Sequence, residues 1–227
     1  MPFRAIERPW RLAALAAAGV VCLSGTLVGC DSDIGGSAAP NQHPDPAEPV
    51  PGIAPTHQDR IPPDAPACVV TPTGDGQAAS EIQAAVSDPA APRITITVPE
   101  GWQSTPGTGD TALMMSGPDT LSATVTIAAT DLSPDSAFLR YTAGIGGTMS
   151  RRKFSVTGAP FCGYSSQQLA GTLQAPSGAI DFADRIAHIW TNTKQYLVTI
   201  HLESHSGVPD FPAAKSLLTQ DFAVVIP

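Results

Sequence analysis

Basic residues are scarce in this chain: twelve Lys and Arg face twenty Asp and Glu. A surface of that sign repels phosphate backbones and anionic headgroups, which excludes nucleic acid as an expected partner. Cysteine is sparse as well, with four residues, too few for a disulfide scaffold and enough for one bridge. Catalytic signatures are missing. Ser165 and Ser166 follow Gly163-Tyr164, yet no Gly-x-Ser-x-Gly elbow surrounds them and no strand-to-helix turn is expected there. No internal repeat is present. These absences point away from hydrolases and nucleic-acid binders.

What the N-terminus does carry is an address. Arg4, Arg8 and Arg11 form a basic region, and residues 12–23 form an apolar one. Leu27-Val28-Gly29-Cys30 then reads as a lipobox. Residues 1–29 are expected to be a lipoprotein signal peptide, with Cys30 the lipid-modified first residue of the mature chain. Such a protein would sit outside the cytoplasm, on the outer face of the cell membrane. A retained transmembrane helix and ordinary signal cleavage are the other readings of the same leader, since residues 12–29 carry no charge over nearly a bilayer's length. Acylation contributes on the order of 0.8 kcal/mol per buried CH₂, so two or three chains hold a domain stably at a bilayer. Removing the leader leaves nine Lys and Arg against nineteen Asp and Glu, a net charge of −10.

Cys22 leaves with the leader and Cys30 is acylated, so Cys68 and Cys162 remain as one pair. In an exported protein a bridge is favoured over two separate thiols. Residues 30–67 form a different kind of segment. Nine Pro fall between residues 31 and 67, with no Phe, Trp or Tyr. That composition buries too little surface to offset chain entropy and is expected to be a disordered linker. Proline stiffens it toward polyproline II, a semi-rigid spacer that would hold the domain away from the membrane.

Residues 68–227 are expected to form one α+β domain. Residues 77–86 read as a helix. Residues 93–98 alternate, with Ile94, Ile96 and Val98 on one face, before Pro99-Glu100-Gly101-Trp102 ends the strand. Residues 112–116 and 122–130 read as a hairpin across Gly117-Pro118-Asp119. Ser133-Pro134-Asp135 opens a helix with a capping residue, Pro at the first position and an acid at the positive end of the dipole; Gly146-Gly147 stops it. Extended segments follow at 153–156, 165–173, 179–190 and 196–202, then a helix capped by Asp210 and a terminal strand at 222–226. A central antiparallel sheet with helices on its faces is the natural assembly.

Several of these features in order resemble a known family: the Val98-Pro99-Glu100-Gly101-Trp102 turn, the hairpin, the helix, the stretch from Gly158 through Tyr164, Leu169-Ala170-Gly171-Thr172, the strand from Gln195 to Leu202, and Phe222-Ala223-Val224-Val225. With the lipobox and proline-rich tail, the chain looks like the mycobacterial LpqN/LpqT-type lipoprotein family, over about residues 93–227. The resemblance implies a PsbP-like fold, an α/β/α sandwich. It also implies a non-enzymatic envelope lipoprotein, associated with glycolipid handling and with contacts to other proteins, host proteins included. No catalytic residues or cofactor come with it, and the Cys68–Cys162 pair is not a general expectation for the family.

Among chemical constellations, His201, Glu203 and His205 share a strand face at i, i+2 and i+4, a spacing that suggests Zn²⁺. Alternation favours the bland reading, because Tyr196, Val198, Ile200 and Leu202 claim the core side and same-face neighbours sit far apart for one tetrahedral ion. His188 reads as a satisfied core histidine. Asp181 and Asp184, three apart in a strand, face opposite sides and cannot share acid–base work. Arg151-Arg152-Lys153 is the one basic cluster, a solvated turn or a contact for an acidic partner. Trp102, Met114 and Met115 are the candidate lining of a lipid cleft, since Met adapts to irregular surfaces. The leading expectation is a lipid-anchored protein that holds an envelope lipid or glycolipid. The alternative is an interaction lipoprotein that docks another envelope or host protein.

Overall fold

The computed structural model describes residues 49–55, 60–70, 79–145, 147 and 152–227. The leader, Cys30, Arg151 and most of the expected linker lie outside the described residues, as do residues 77 and 78 at the start of the expected first helix.

Two sheets, rather than one, form the domain. Strands β1 (Ala65–Cys68), β2 (Ala79–Ala84), β3 (Arg93–Pro99) and β11 (Ala223–Ile226) make a four-stranded sheet in the order β1-β11-β3-β2. The other strands are β4 (Gln103–Pro106), β5 (Thr111–Ser116), β6 (Ser122–Ala129), β7 (Arg152–Gly158), β8 (Ser165–Ala175), β9 (Gly178–Trp190) and β10 (Gln195–His205). They form a seven-stranded sheet in the order β4-β5-β6-β10-β9-β8-β7. Every pairing among the described strands is antiparallel. Two helices complete the fold: α1 (Pro134–Gly144) and α2 (Phe211–Leu218).

Alternation built the strands where it was clean. In β3, Ile94, Ile96 and Val98 are at most 2% exposed while their neighbours are half-buried. Val125 and Ile127 of β6 and Tyr196, Val198, Ile200 and Leu202 of β10 are equally buried, and all belong to one apolar cluster between the sheets. Burying each such aliphatic side chain stabilises the fold by about 1.5–3 kcal/mol relative to leaving it exposed. Helix α2 lies against β3 and β10, with Ala214 and Leu218 in the same cluster. The opposite face of the seven-stranded sheet carries a second, smaller cluster of Phe138, Leu169, Leu173, Phe182 and Ile186. Phe138 belongs to α1, so that helix closes this face.

Three expectations need correcting. In place of the helix expected at 77–86 there is a strand over Ala79–Ala84: β2 runs antiparallel to β3, with Ile82 opposite Ile96. Local composition lost to tertiary pairing, because the edge of β3 offers a ladder of backbone partners and apolar contact on the core face. The single central sheet is two packed sheets, since β11 returns beside β1 and β3 instead of joining the larger sheet. Asp210 occupies the position before α2, but its side chain makes no capping hydrogen bond. In α1, Ser133 sits at the N-cap, Pro134 in the first turn and Asp135 beside them as expected, but the Ser133 side chain likewise accepts no backbone N–H and instead donates to the Ser136 hydroxyl.

Cys68, at the end of β1, is bonded to Cys162 in the turn before β8, with Cα atoms 5.6 Å apart. The bridge joins the two sheets. Ordered contacts also reach upstream of residue 68. Arg93 is paired with Asp64 at 2.5 Å, and Asn192 both donates to the Ile61 carbonyl and accepts from its amide. Further upstream, residues 49–55 lie along β8, with the Ser166 amide donating to the Gly52 carbonyl. The start of the packed structure is therefore earlier than the change in composition at residue 67.

A groove beneath the first helix

The β9–β10 hairpin positions the polar groups of the candidate site. Pairing of Trp190 with Gln195 fixes the register, and this places His201 directly opposite Asp184. Both project toward α1, on the face that also carries Leu197 and Ile186. His201 Nδ1 donates to Asp184 Oδ1 at 2.5 Å, and its Nε2 is 3.4 Å from Glu203 Oε2. Asp184 is 1% exposed, whereas the His201 ring is 35% exposed. Burial opposes charge on the imidazole, but the hydrogen bonds to Asp184 and Glu203, and their negative charges, outweigh it and hold the His201 pKa up at about 9. Glu203 is held below its usual range by the same contact. The second Asp184 oxygen is buried and has no hydrogen-bond partner among the described residues. Burial, and then the Asp184 charge, push the nearby Tyr141 hydroxyl well above its ordinary pKa.

These groups edge a groove of about 680 Å³ between α1 and the strands β6, β10 and β9. Its floor is Ala128 and Leu197; its walls include Leu132, Ala137, Ile145 and Leu173, with Asp184, His201 and Glu203 on the polar side. Small side chains on β6 open the space, since a larger residue at Ala128 would project into it. A pocket of that size is in the range that accepts a small amphiphile, with apolar surface for affinity and a few polar groups for orientation. Arg140 and Tyr141 reach it from α1.

The residues singled out from the sequence are distributed differently. Met115 is 5% exposed and belongs to the core between the sheets, while Met114 is 47% exposed on the other side of β5. Trp102 packs against that core and lies over Gly117, whose absent side chain leaves room for the indole. The three do not share a face, and none lines the groove. His205 and Glu203 are exposed, and no group of three His, Cys, Asp or Glu side chains among the described residues is arranged so that it could hold a metal ion. His188 Nε2 donates to the Leu132 carbonyl at 3.0 Å, and burial lowers its pKa. Ser165 and Ser166 are buried: Ser165 accepts from the Ala54 amide, and Ser166 donates to the Ile186 carbonyl. Asp181 takes hydrogen bonds from Thr172 and Ser206, on the strand face opposite to Asp184. Lys153 is exposed on β7. Reading His201 as a solvated ligand candidate missed its partner, yet the signal was present: one short turn between two long strands pairs 184 with 201.

The fold and groove together describe an α+β domain built mainly of antiparallel sheet, with two helices and an open cleft under one of them. Among solved structures it is similar to LpqN of Mycobacterium tuberculosis, described as involved in cell envelope biogenesis. The TM-score is 0.51 at 15% identity, over 65% of this chain and 91% of that one. At that identity the likeness shows the fold alone. No protein-family model matches the chain, and no curated protein does.

Proposed function

We propose that this chain is a non-enzymatic cell-envelope lipoprotein that holds the acyl portion of an envelope lipid or glycolipid in the groove under α1. The observation that carries this reading is the groove itself: an apolar floor and walls with one polar side, His201, Asp184 and Glu203, where a headgroup would be oriented. The lipobox ending at Cys30 supports attachment to the outer face of the membrane. Likeness in fold to LpqN is compatible with an envelope role.

The test uses the exported full chain carrying Cys30→Ala, which removes the anchor and keeps the rest. Titration with cis-parinaric acid should give saturable fluorescence in the wild-type groove. Ala128→Trp should abolish that signal while leaving the thermal unfolding transition in place, because Ala128 is only half-buried and faces the open groove. Equal binding by both proteins would remove the groove as the lipid site. Absence of any acyl binding, with capture of a defined envelope protein instead, would favour the interaction-protein alternative.

A further inference from the structure

The segment just before the domain is seated on it by several independent contacts. Ser166 N–H donates to the Gly52 carbonyl at 2.9 Å, Gln167 Nε2 donates to the Pro51 carbonyl at 2.8 Å, and the Ala54 amide donates to Ser165 Oγ at 2.9 Å. The approach is close enough to demand glycine on both sides. Gly52 has φ +80°, and a Cβ there would lie 2.0 Å from the Ser166 carbonyl oxygen. A Cβ on Gly158 would lie 2.5 Å from the Gly52 nitrogen. Two residues before Gly52, Val50 packs into the apolar cluster that includes Phe138 of α1. Tyr141, Ile145 and Leu197 pack on that same cluster, and they line the groove.

We infer that residues 49–55 form a strap that holds α1 against the seven-stranded sheet and so sets the width of the groove. The helix itself reaches the cluster through Phe138, with Tyr141 and Ile145 packed against it. Of its residues only Ala137 and Phe138 are buried, and Leu139 is 44% exposed. An element with so few buried contacts opens easily unless something pins it. Because the strap and a groove ligand would bear on one cluster, their coupling is reciprocal: seating the strap favours the bound groove, and an occupied groove favours the seated strap. The ligand half of this inference rests on the function proposed above; the α1 half does not.

Hydrogen exchange on the exported Cys30→Ala protein tests it, with Gly52→Ala and Val50→Ala added in turn. Gly52→Ala should expose the Ala54 and Ser166 amides and speed exchange across α1 by roughly threefold or more, with α2 unchanged as an internal control. Val50→Ala should leave the strap's backbone bonds protected and still speed α1 to a smaller degree. In the same proteins the Kd for cis-parinaric acid should weaken in the order wild type, Val50→Ala, Gly52→Ala. Faster strap exchange with α1 unchanged overturns the inference, whatever the probe does. Unchanged protection of the strap in Gly52→Ala overturns it too, since the seating argued from Gly52 would be absent. If α1 loosens but no variant, wild type included, binds the probe, the strap stands and the lipid reading fails.

Discussion

Replacing Asp184 by Asn should remove a pH dependence of stability that His201 imposes on the fold. A rise in the His201 pKa from 6.5 to about 9 corresponds to about 3 kcal/mol at full weight, at about 1.4 kcal/mol per pH unit. The ring is 35% exposed, so solvent screening reduces this to about 1–2 kcal/mol. The sign follows from proton counting. Between 6.5 and 9 the folded chain keeps a proton on His201 that the unfolded chain has released, so raising the pH favours unfolding. The contribution is complete below about 6.5 and is gone once the pH has passed through 9. The substitution keeps the size of the side chain and loses the charge that holds the imidazolium. Urea unfolding of wild type and Asp184→Asn at intervals from pH 6 to pH 10 should show a gap of about 1–2 kcal/mol at pH 6.5 that closes by pH 9.5. An NMR titration of the His201 ring, read alongside, should place its midpoint near 9 in wild type and lower in the variant. A constant gap across the range, or a wild-type midpoint near 6.5, would refute the reasoning.

The fold makes further predictions. Reducing the Cys68–Cys162 bridge, which spans a sequence separation of 94, should lower stability by up to about 4–5 kcal/mol on the chain-entropy model, seen as an earlier urea midpoint with dithiothreitol. Gly171→Ala would put a Cβ 2.2 Å from the Lys153 carbonyl and 2.4 Å from the Phe154 side chain, so β7 must shift, at a cost of about 1–3 kcal/mol by thermal melt. At the buried Arg185, the two partners should behave unequally. Asp221→Ala leaves the Ala159 carbonyl contact and a half-exposed site for water, and should cost about 1–2 kcal/mol in urea unfolding, whereas Arg185→Ala also empties the space over the Phe161 ring and should cost about 3 kcal/mol or more.

Much of the core was legible because burial on one face leaves a period of two. Ile94, Ile96 and Val98, and the four residues from Tyr196 to Leu202, announced their strands and their inward side. The start of α1 was legible through Ser133-Pro134-Asp135. What the pattern hid were consequences of pairing at long range. Residues 79–84 became a strand because β3 had an edge to offer, which no local propensity records. The split into two sheets depends on where β11 returns, and its sequence, Ala223-Val224-Val225-Ile226, is compatible with either sheet. The candidate site was less visible still. His201 was noticed for its spacing to Glu203 and His205, but its important neighbour is Asp184, seventeen residues earlier across a hairpin. The groove is made by small residues such as Ala128 and by the crossing of α1, and absence of bulk leaves no motif. Met114 and Met115 drew notice for chemistry that adjacent strand positions, on opposite faces, could not share. The strap was masked by its own composition: a proline-rich stretch reads as unstructured, yet Gly52, Pro51 and Ala54 supply the backbone groups that β8 binds.

The most direct test of lipid carriage is the native mass of the exported Cys30→Ala protein after gentle purification, without added ligand. A proposed carrier should show an excess over the polypeptide that corresponds to an acyl lipid or glycolipid, and Ala128→Trp should lack it. A mass equal to the bare, disulfide-bonded chain in both proteins, together with no acyl binding on titration, would contradict the central claim.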